Sequence, residues 1–264
     1  MSVPTDHAVT LSPLEFDVIW EHLGLGPFPT VYRLLGHGWT YDERAQLVRQ
    51  AWEGLEARGV GGPVSLDPDL VELLRVLARP AREVDARLTY GSVVTRALAG
   101  SVGEVGVIGV LREGRFTIAP VTPGGLIRSV VGLLPDHPPG TGHSVSLSER
   151  SFGEACAAGD ARGMRAALQE RGMRPGDAEQ LAEALDGIVG AGQFGAARLD
   201  RWGRRHRAPY VAAFVDSAAG RYLLESRPGL GGAELWTTVA PTDPVRLAGR
   251  VDRLHAELEY QLDL

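Results

Sequence analysis

Apolar residues follow helical spacing in the first third of the chain, and the two-residue spacing of strands further on. After a short strand at 9–11, the pattern predicts three helices between residues 12 and 80, each opened by a capping residue and ended by Gly or Pro. It then predicts a hairpin of strands 105–111 and 116–121. Helices followed by an antiparallel hairpin indicate an α+β protein.

The second half of the chain predicts the same order of elements. A short strand at 145–147 leads into helices, one of them capped by Asp177. A hairpin of strands 210–215 and 221–225 follows, and then a further strand at 234–239. The last predicted helix has an apolar face of Leu247, Val251, Leu254 and Leu258.

Four short sequence landmarks occur once in each half, in the same order. They are Val9–Ser12 with Val145–Ser148, Leu55–Val60 with Leu168–Met173, Ala86–Leu88 with Ala197–Leu199, and Gly114–Phe116 with Gly220–Tyr222. Such internal similarity predicts a duplicated unit. We therefore expect one domain over residues 1–264, with pseudo-repeat halves 8–135 and 144–262 joined by a turn-rich linker, 136–143.

The amino-acid composition limits the classes of function that are possible for this chain. The net charge of −6 disfavours nucleic-acid binding, which needs cations to replace phosphate counterions. All 27 basic residues are Arg, so no lysine chemistry is possible, and the single Cys156 excludes an internal disulfide. Met1–His7 lacks the features of a secretory signal, and the apolar runs are too short to span a bilayer. These observations predict a cytoplasmic protein without membrane insertion.

Candidate chemistry is sparse. The seven His residues lack metal-ligand spacing, and no nucleophile elbow is present, so we predict no catalytic, metal or cofactor residue. Residues 190–195 match the letters of a dinucleotide-binding fingerprint, and this match supports an alternative function in binding a dinucleotide or another small molecule. The fingerprint requires a preceding strand, whereas residues 177–189 are patterned as a helix. A small-residue helix crossing or a loop is the favoured interpretation.

A basic cluster is the best charged candidate for recognition. It comprises Arg201, Arg204, Arg205, His206 and Arg207. One interpretation is a patch that binds an anion or an acidic partner. The other is a solvated helix end, where cations are favoured by the helix dipole.

Several motifs together resemble the EspG family, cytosolic chaperones associated with type VII (ESX) secretion in actinobacteria. The motifs are Leu14–Asp17 with Trp20, Thr40 with Glu43-Arg44, Thr95–Ala99, Pro139–Val145, Gly192–Ala196 leading to Arg204 and Arg207, and Asp216 with Gly220–Tyr222 before Trp236-Thr237. They cover nearly the whole chain in order.

The resemblance implies a quasi-twofold α+β fold, with a central antiparallel β-sheet flanked by two α-helical bundles. It also implies a non-enzymatic chaperone, which would bind the helical tip of PE/PPE-like substrates, keep them soluble and direct them to an ESX system. The identity of the cargo and the oligomeric state stay open.

The resemblance also directs attention to particular contacts. The loop Arg112–Arg115 joins the first predicted hairpin and is short here, whereas it is often long in mycobacterial members and can touch cargo. Val105–Leu111 is apolar at both odd and even positions, so this strand is either buried on both faces or keeps one face open for a partner. An open sheet face over 105–121 is therefore a further candidate contact. The predicted partner-binding residues are Arg112, Glu113, Arg115, Gln193, Phe194, Asp200, Trp202, Arg204 and Arg205.

Overall fold

The computed structural model describes residues 7–34, 36–229, 232 and 234–262. Within them the chain is α+β with a large antiparallel sheet, as predicted, and it contains eight α-helices. It divides into two compact units. The first contains the described residues up to Arg87, with Val93–Leu133 and Ala197–His206, and the second contains the remainder. The N-terminal stretch that we interpreted as lacking a signal lies, except for His7, outside the described residues.

Up to residue 133, the described residues form five strands and four helices. They are β1 (Val9–Leu11), α1 (Pro13–His22), α2 (Tyr41–Ala57), α3 (Pro68–Ala78), β2 (Arg82–Tyr90), β3 (Val93–Val102), β4 (Val105–Arg112), β5 (Arg115–Val121) and, after a 3-10 turn at Pro123–Gly125, α4 (Leu126–Val131). The strands lie in the order β1-β5-β4-β3-β2.

The core of the first unit is rich in aromatic rings. Phe16 stacks on Phe116 with their ring centroids 3.8 Å apart, and the Tyr32 hydroxyl donates to the Gly109 carbonyl at 3.0 Å. The predicted cap of the first helix is Ser12, which forms a capping box with Glu15, since the side chain of each accepts a hydrogen bond from the backbone amide of the other. These caps and rings fix α1 against the sheet.

From residue 134 onward, the part of the chain that the structure describes forms six strands and four helices. They are β6 (Val145–Ser148), α5 (Glu149–Cys156), α6 (Ala161–Glu170), α7 (Pro175–Leu185), β7 (Gly190–Leu199), β8 (Arg205–Arg207), β9 (Ala212–Ser217), β10 (Gly220–Pro228), β11 (Leu235–Pro241) and α8 (Pro244–Leu262). Five of these strands lie in the order β7-β9-β10-β11-β6, and β8 pairs with β7.

The second unit buries an ion pair together with its apolar side chains. Arg221 donates to both carboxylate oxygens of Asp216, at 2.7 and 2.8 Å, and both side chains are fully buried. The Tyr90 hydroxyl donates to the same carboxylate at 2.7 Å. On α8, all four residues of the predicted apolar face are buried, which confirms that stripe.

The order of elements in the two halves is the same, apart from the added β8. In both, a short strand is followed by three helices, four long strands and a closing helix. Three of the four sequence landmarks fall on elements at the same place in this order. The fourth does not, because Gly114 lies in the β4–β5 turn whereas Gly220 follows the turn between β9 and β10. The quasi-twofold relation itself stays a prediction.

The sequence pattern missed β2 and β3. In β2, the alternation is hidden by Glu83 and Asp85, which are charged yet only 5% and 8% exposed. A second difference concerns α7, which begins at Pro175 and not at a cap on Asp177, so Asp177 lies in its first turn. The first difference arises because polar residues in β2 are buried, and the second because Pro175 takes the first position of α7.

Candidate functional site

The first unit has an exposed, hydrogen-bonded turn after β7, residues 200–206, which we call the arginine turn. Its centre is Asp200, whose carboxylate accepts hydrogen bonds from the backbone amides of Trp202 and Arg204, each at 2.9 Å. The Asp200 amide in turn donates to the Arg204 carbonyl at 2.9 Å. Gly203 supplies the positive φ of 76° that this reversal requires.

The carboxylate of Asp200 is held in its charged form. It also lies 2.9 Å from the His206 ring, on the far side of the turn. Desolvation of Asp200 opposes ionisation, but hydrogen bonds from the Arg204 amide, from His206 and from the Trp202 amide outweigh it and hold the pKa of that carboxyl below its usual range. The predicted contact residue Asp200 therefore organises the turn from within.

Two side chains of the arginine turn project as a stacked pair. Trp202 is 66% exposed, and the Arg201 guanidinium lies 4.0 Å from its ring centroid. Arg204 is exposed as well, and its side chain makes no ion pair with the described residues. An exposed Trp beside two Arg combines the residue types that contribute most to protein interfaces.

The remaining cations of the turn have structural partners. Arg205 pairs with Glu83, a carboxylate only 6% exposed, and Arg79 donates to the Gly203 carbonyl at 3.1 Å. Residues 205–207 form β8, so the interpretation of the basic cluster as a solvated helix end is wrong. Arg205 neutralises a buried charge, and this role explains its place in the cluster.

The other predicted contacts on β7 divide by exposure. Gln193 is exposed, but Phe194 is fully buried and packs on Phe214 with ring centroids 5.8 Å apart. A buried ring is not accessible to a partner in this conformation. The alternation of the strand sends these neighbours to opposite faces, which a helix or loop interpretation of residues 190–195 could not foresee.

The predicted loop Arg112–Arg115 is a tight turn at the end of the β4–β5 hairpin. Glu113 and Gly114 both have positive φ, at 49° and 71°, the conformation of a type I′ turn. Arg112 contacts Glu113 at 3.4 Å, and Glu113 and Arg115 are exposed. The chain's first hairpin is in fact β2–β3, and its connection, residues 91–92, is equally short.

The structure does not bring this hairpin turn and the arginine turn together. β7 ends beside the start of β2, since the Leu199 amide donates to the Ala81 carbonyl, and Ala81 in turn donates to Ser101 at the end of β3. β4 begins at that end, at Val105, and reaches Arg112 about 23 Å away. The two sets of predicted contacts lie at opposite ends of the strands.

The sheet face over residues 105–121 is not open along β4. Val107 and Ile108 point to opposite faces and are both fully buried, and helices α3 and α4 both contact this strand. Of the two interpretations of its apolar run, burial on both faces is confirmed. A partner that docks on the first unit therefore meets turns and helices before it meets β4.

Residues 190–195 lack the geometry of a dinucleotide site. β7 begins at Gly190, whereas the fingerprint needs a strand that ends at the first Gly and a helix that follows. A Cβ on Gly190 would lie 2.0 Å from the Tyr90 ring, so this glycine is required by packing. The favoured interpretation as a helix crossing or a loop is also wrong, since the whole run is strand.

Two exposed aromatic residues were not predicted as candidate contacts from the sequence. Trp39 and Tyr41, at the start of α2, are 98% and 97% exposed. Their position beside the capping residue Thr40 was the available signal. Elsewhere in the described ranges, no three His, Cys, Asp or Glu side chains are grouped so as to hold a metal ion. None of the described helices has the length and apolarity needed to cross a bilayer.

The fold of the chain is similar to that of a solved protein. The Mycobacterium tuberculosis type VII secretion system chaperone EspG5, solved in complex with a PE25–PPE41 dimer, matches 93% of this chain and 94% of its own at a TM-score of 0.72 and 15% sequence identity. At that identity the likeness establishes a shared α+β fold. No curated protein sequence matches the chain significantly.

The family is established by sequence. The EspG family model matches residues 12–253, and the chain belongs to the EspG family. This confirms the resemblance drawn from the motifs between Leu14 and Thr237.

Proposed function

We propose that this protein is a cytosolic, non-enzymatic chaperone that binds the helical tip of a PE/PPE-like pair and directs it to a type VII secretion system. The observation that carries the proposal is family membership over residues 12–253, together with the fold shared with EspG5, a chaperone solved with a PE25–PPE41 dimer. Capture requires only a binding equilibrium, since a covered apolar tip is withdrawn from self-association.

The arginine turn is the docking element that the geometry favours. Its backbone is fixed by the Asp200 hydrogen bonds before any partner arrives, so little conformational entropy is lost on binding. Trp202 supplies apolar area, while Arg201 and Arg204 supply charges for acidic or carbonyl groups at a helix end. Arg112, Glu113 and Arg115, at the other end of the strands, would serve as a separate contact.

Phe194 and Arg205 are left out of the proposed contact surface. The first is buried in the core, and the second neutralises Glu83. Reversing the charge of Arg205 would leave the carboxylate of Glu83 without a counter-charge. Any loss of binding in that variant would then also reflect a loss of folding stability. Arg204 is the cleaner position, because its side chain has no ion pair to lose.

Co-expression tests the proposed function. A PE–PPE-like pair encoded beside this chain should remain soluble and co-purify with it, and a pair expressed alone should aggregate. Arg204→Glu should reduce capture about tenfold or more, while the matched reversal Arg253→Glu, on the exposed side of α8, should leave it unchanged. Equal solubility of the pair with and without the chain would remove the chaperone role.

The dinucleotide alternative has a simple discriminating experiment. A ligand that binds only the folded state raises the melting temperature, and above its Kd this rise follows the logarithm of the ligand concentration. Because β7 begins where the fingerprint requires a strand to end, NAD or FAD at millimolar concentration should leave the melting temperature unchanged.

A further inference from the structure

The sheet ends at β6 in the second unit and at β1 in the first, and these two edge strands differ in how they are protected. Each pairs with one neighbour, β1 with β5 and β6 with β11. Neither has a further strand partner within the described ranges. An unprotected edge presents backbone N–H and C=O groups that another extended chain can bind.

The edge of β1 is closed by an arginine. Arg58, in the turn after α2, donates to the Thr10 carbonyl at 2.8 Å and to Glu15 at 2.8 Å. Because the Thr10 carbonyl points away from β5, its amide does so too, as both groups of a residue face one side in an antiparallel ladder. The arginine therefore occupies the position that an added strand would take.

The corresponding arginine of the second unit is turned elsewhere. Arg171 holds the same place in the turn after α6, but it pairs with Glu154 on α5. The residue that corresponds to Thr10 is Ser146, and no side chain of the described residues donates to its carbonyl. Val145 and Leu147, on either side of Ser146, are buried at 5% and 4% exposure. The side chain of Ser146 therefore faces away from the core, as the side chain of Thr10 does.

A groove lies along this open edge. It has a volume of about 630 Å³, and its walls are β6 on one side and the turn 171–174 on the other, with Trp236 and Leu168 also contributing. This volume lies within the range of about 300–1,000 Å³ that ligand-binding clefts occupy. An added strand would lie about 4.8 Å from β6, along the edge that this groove borders.

The groove also has a defined chemistry. Met173 supplies apolar area above the buried Leu147 and Leu168. Arg171 is already paired with Glu154, and the His143 ring lies 2.9 Å from the Asp177 carboxylate. Arg174 is exposed and makes no ion pair with any described residue. Because Arg174 makes no ion pair with a described residue, it favours a ligand that carries a carboxylate.

From these features we infer that β6 is a strand-addition site, which accepts an extended segment of a partner protein with alternating apolar residues and an acidic side chain near Arg174. Backbone hydrogen bonds to Ser146 would provide affinity, and the groove would provide selectivity. This site is independent of the proposed docking of a helical tip on the arginine turn. The turn 171–174 lines the same groove as β6.

The test uses the full chain and the acetylated, amidated peptide Val-Glu-Val-Thr-Val as a probe. Calorimetric titration should give saturable binding, and the Ser146 amide should shift and exchange more slowly with solvent. A twin peptide methylated on every backbone nitrogen keeps the side chains but not the donors, and it should bind about tenfold or more weakly. Equal binding of the twin, or shifts confined to another surface, would overturn the inference.

Three variants of the chain complete the test. If Ser146 is oriented as Thr10 is, its N–H faces away from β11, and Ser146→Pro removes that donor at a position where an edge strand tolerates proline. This variant should weaken peptide binding about tenfold or more. Thr10→Pro is the matched control on β1 and should leave the affinity unchanged, since Arg58 already closes that edge. Arg174→Glu alters only an exposed side chain and should weaken binding several-fold even if Ser146→Pro disturbs folding. A concentration-dependent dimer that Ser146→Pro abolishes, with no peptide binding, would assign the edge to a second copy and reject the inference.

Discussion

The two units bury different kinds of side chain at the centre of the same element order. The first packs a group of aromatic rings, with Phe16 between Phe116 and Trp20. The second packs an Arg221–Asp216 ion pair that also receives the Tyr90 hydroxyl. The comparison shows that a shared order of elements determines where the core lies but not which kinds of side chain fill it.

The largest effect should come from removing one partner of the ion pair. Asp216→Ala leaves the Arg221 guanidinium buried without a counter-charge, at a cost of about 3–5 kcal/mol in the free energy of unfolding. Replacing both residues together, with Asp216→Leu and Arg221→Met, should cost clearly less, because no charge stays buried. Urea denaturation of the single and double variants measures the difference, and a double variant less stable than the single one would refute this account.

Truncating the aromatic core should be comparably severe but without a matching rescue. Phe116→Ala removes a fully buried ring and should cost about 3–5 kcal/mol. Pairing it with Phe16→Ala would enlarge the cavity and increase the loss. Recovery of stability in that double variant, measured by urea denaturation, would show that the two cores differ less than the structure indicates.

The helix ends sharpen the comparison, because there the two units agree. After α2 and after α6, the backbone makes the same three hydrogen bonds, with Val60 and Met173 each donating back to the last Leu of its helix. Gly59 and Gly172 have φ of 72° and 83°. Gly59→Ala and Gly172→Ala should therefore each cost about 1–2 kcal/mol, by thermal denaturation. A large inequality between the two would break the equivalence of these turns.

A smaller effect should appear at alkaline pH. Burial, and then the hydrogen bond to Asp216, raise the pKa of Tyr90 above its ordinary value of 10.0. A phenol with a raised pKa contributes its full stability below about pH 10 and loses it progressively above, as the unfolded chain ionises first. Tyr90→Phe should therefore lose less stability than the unchanged protein between about pH 8 and pH 11. Parallel losses in both proteins would show that Tyr90 is not responsible.

The sequence predicted those parts of the fold in which local signals and burial agree. The capping box of Ser12 with Glu15, the hairpin around Gly114 and the apolar stripe of α8 all follow from short-range pattern. β2 was missed because its buried Glu83 is neutralised by Arg205, which lies 122 residues further along the chain. A pairing at that separation leaves no trace in local periodicity.

The candidate site was predictable in composition but not in geometry. Trp202 and Arg204 were predicted to bind a partner because of their residue types, and the structure places both on the surface. Phe194 belongs to the core because strand alternation turns it inward, which depended on knowing that residues 190–199 are strand. The open edge at β6 depends on where Arg171 points, and only the structure supplies that direction.

The most direct measurement is a calorimetric titration of the soluble PE–PPE-like pair with the unchanged chain and with two Trp variants. Trp202→Ala removes the exposed ring of the arginine turn and should weaken binding about tenfold or more, while Trp39→Ala, which removes an even more exposed ring at the start of α2, should leave the affinity unchanged. Unaltered affinity of Trp202→Ala would contradict the assignment of the arginine turn as the docking element.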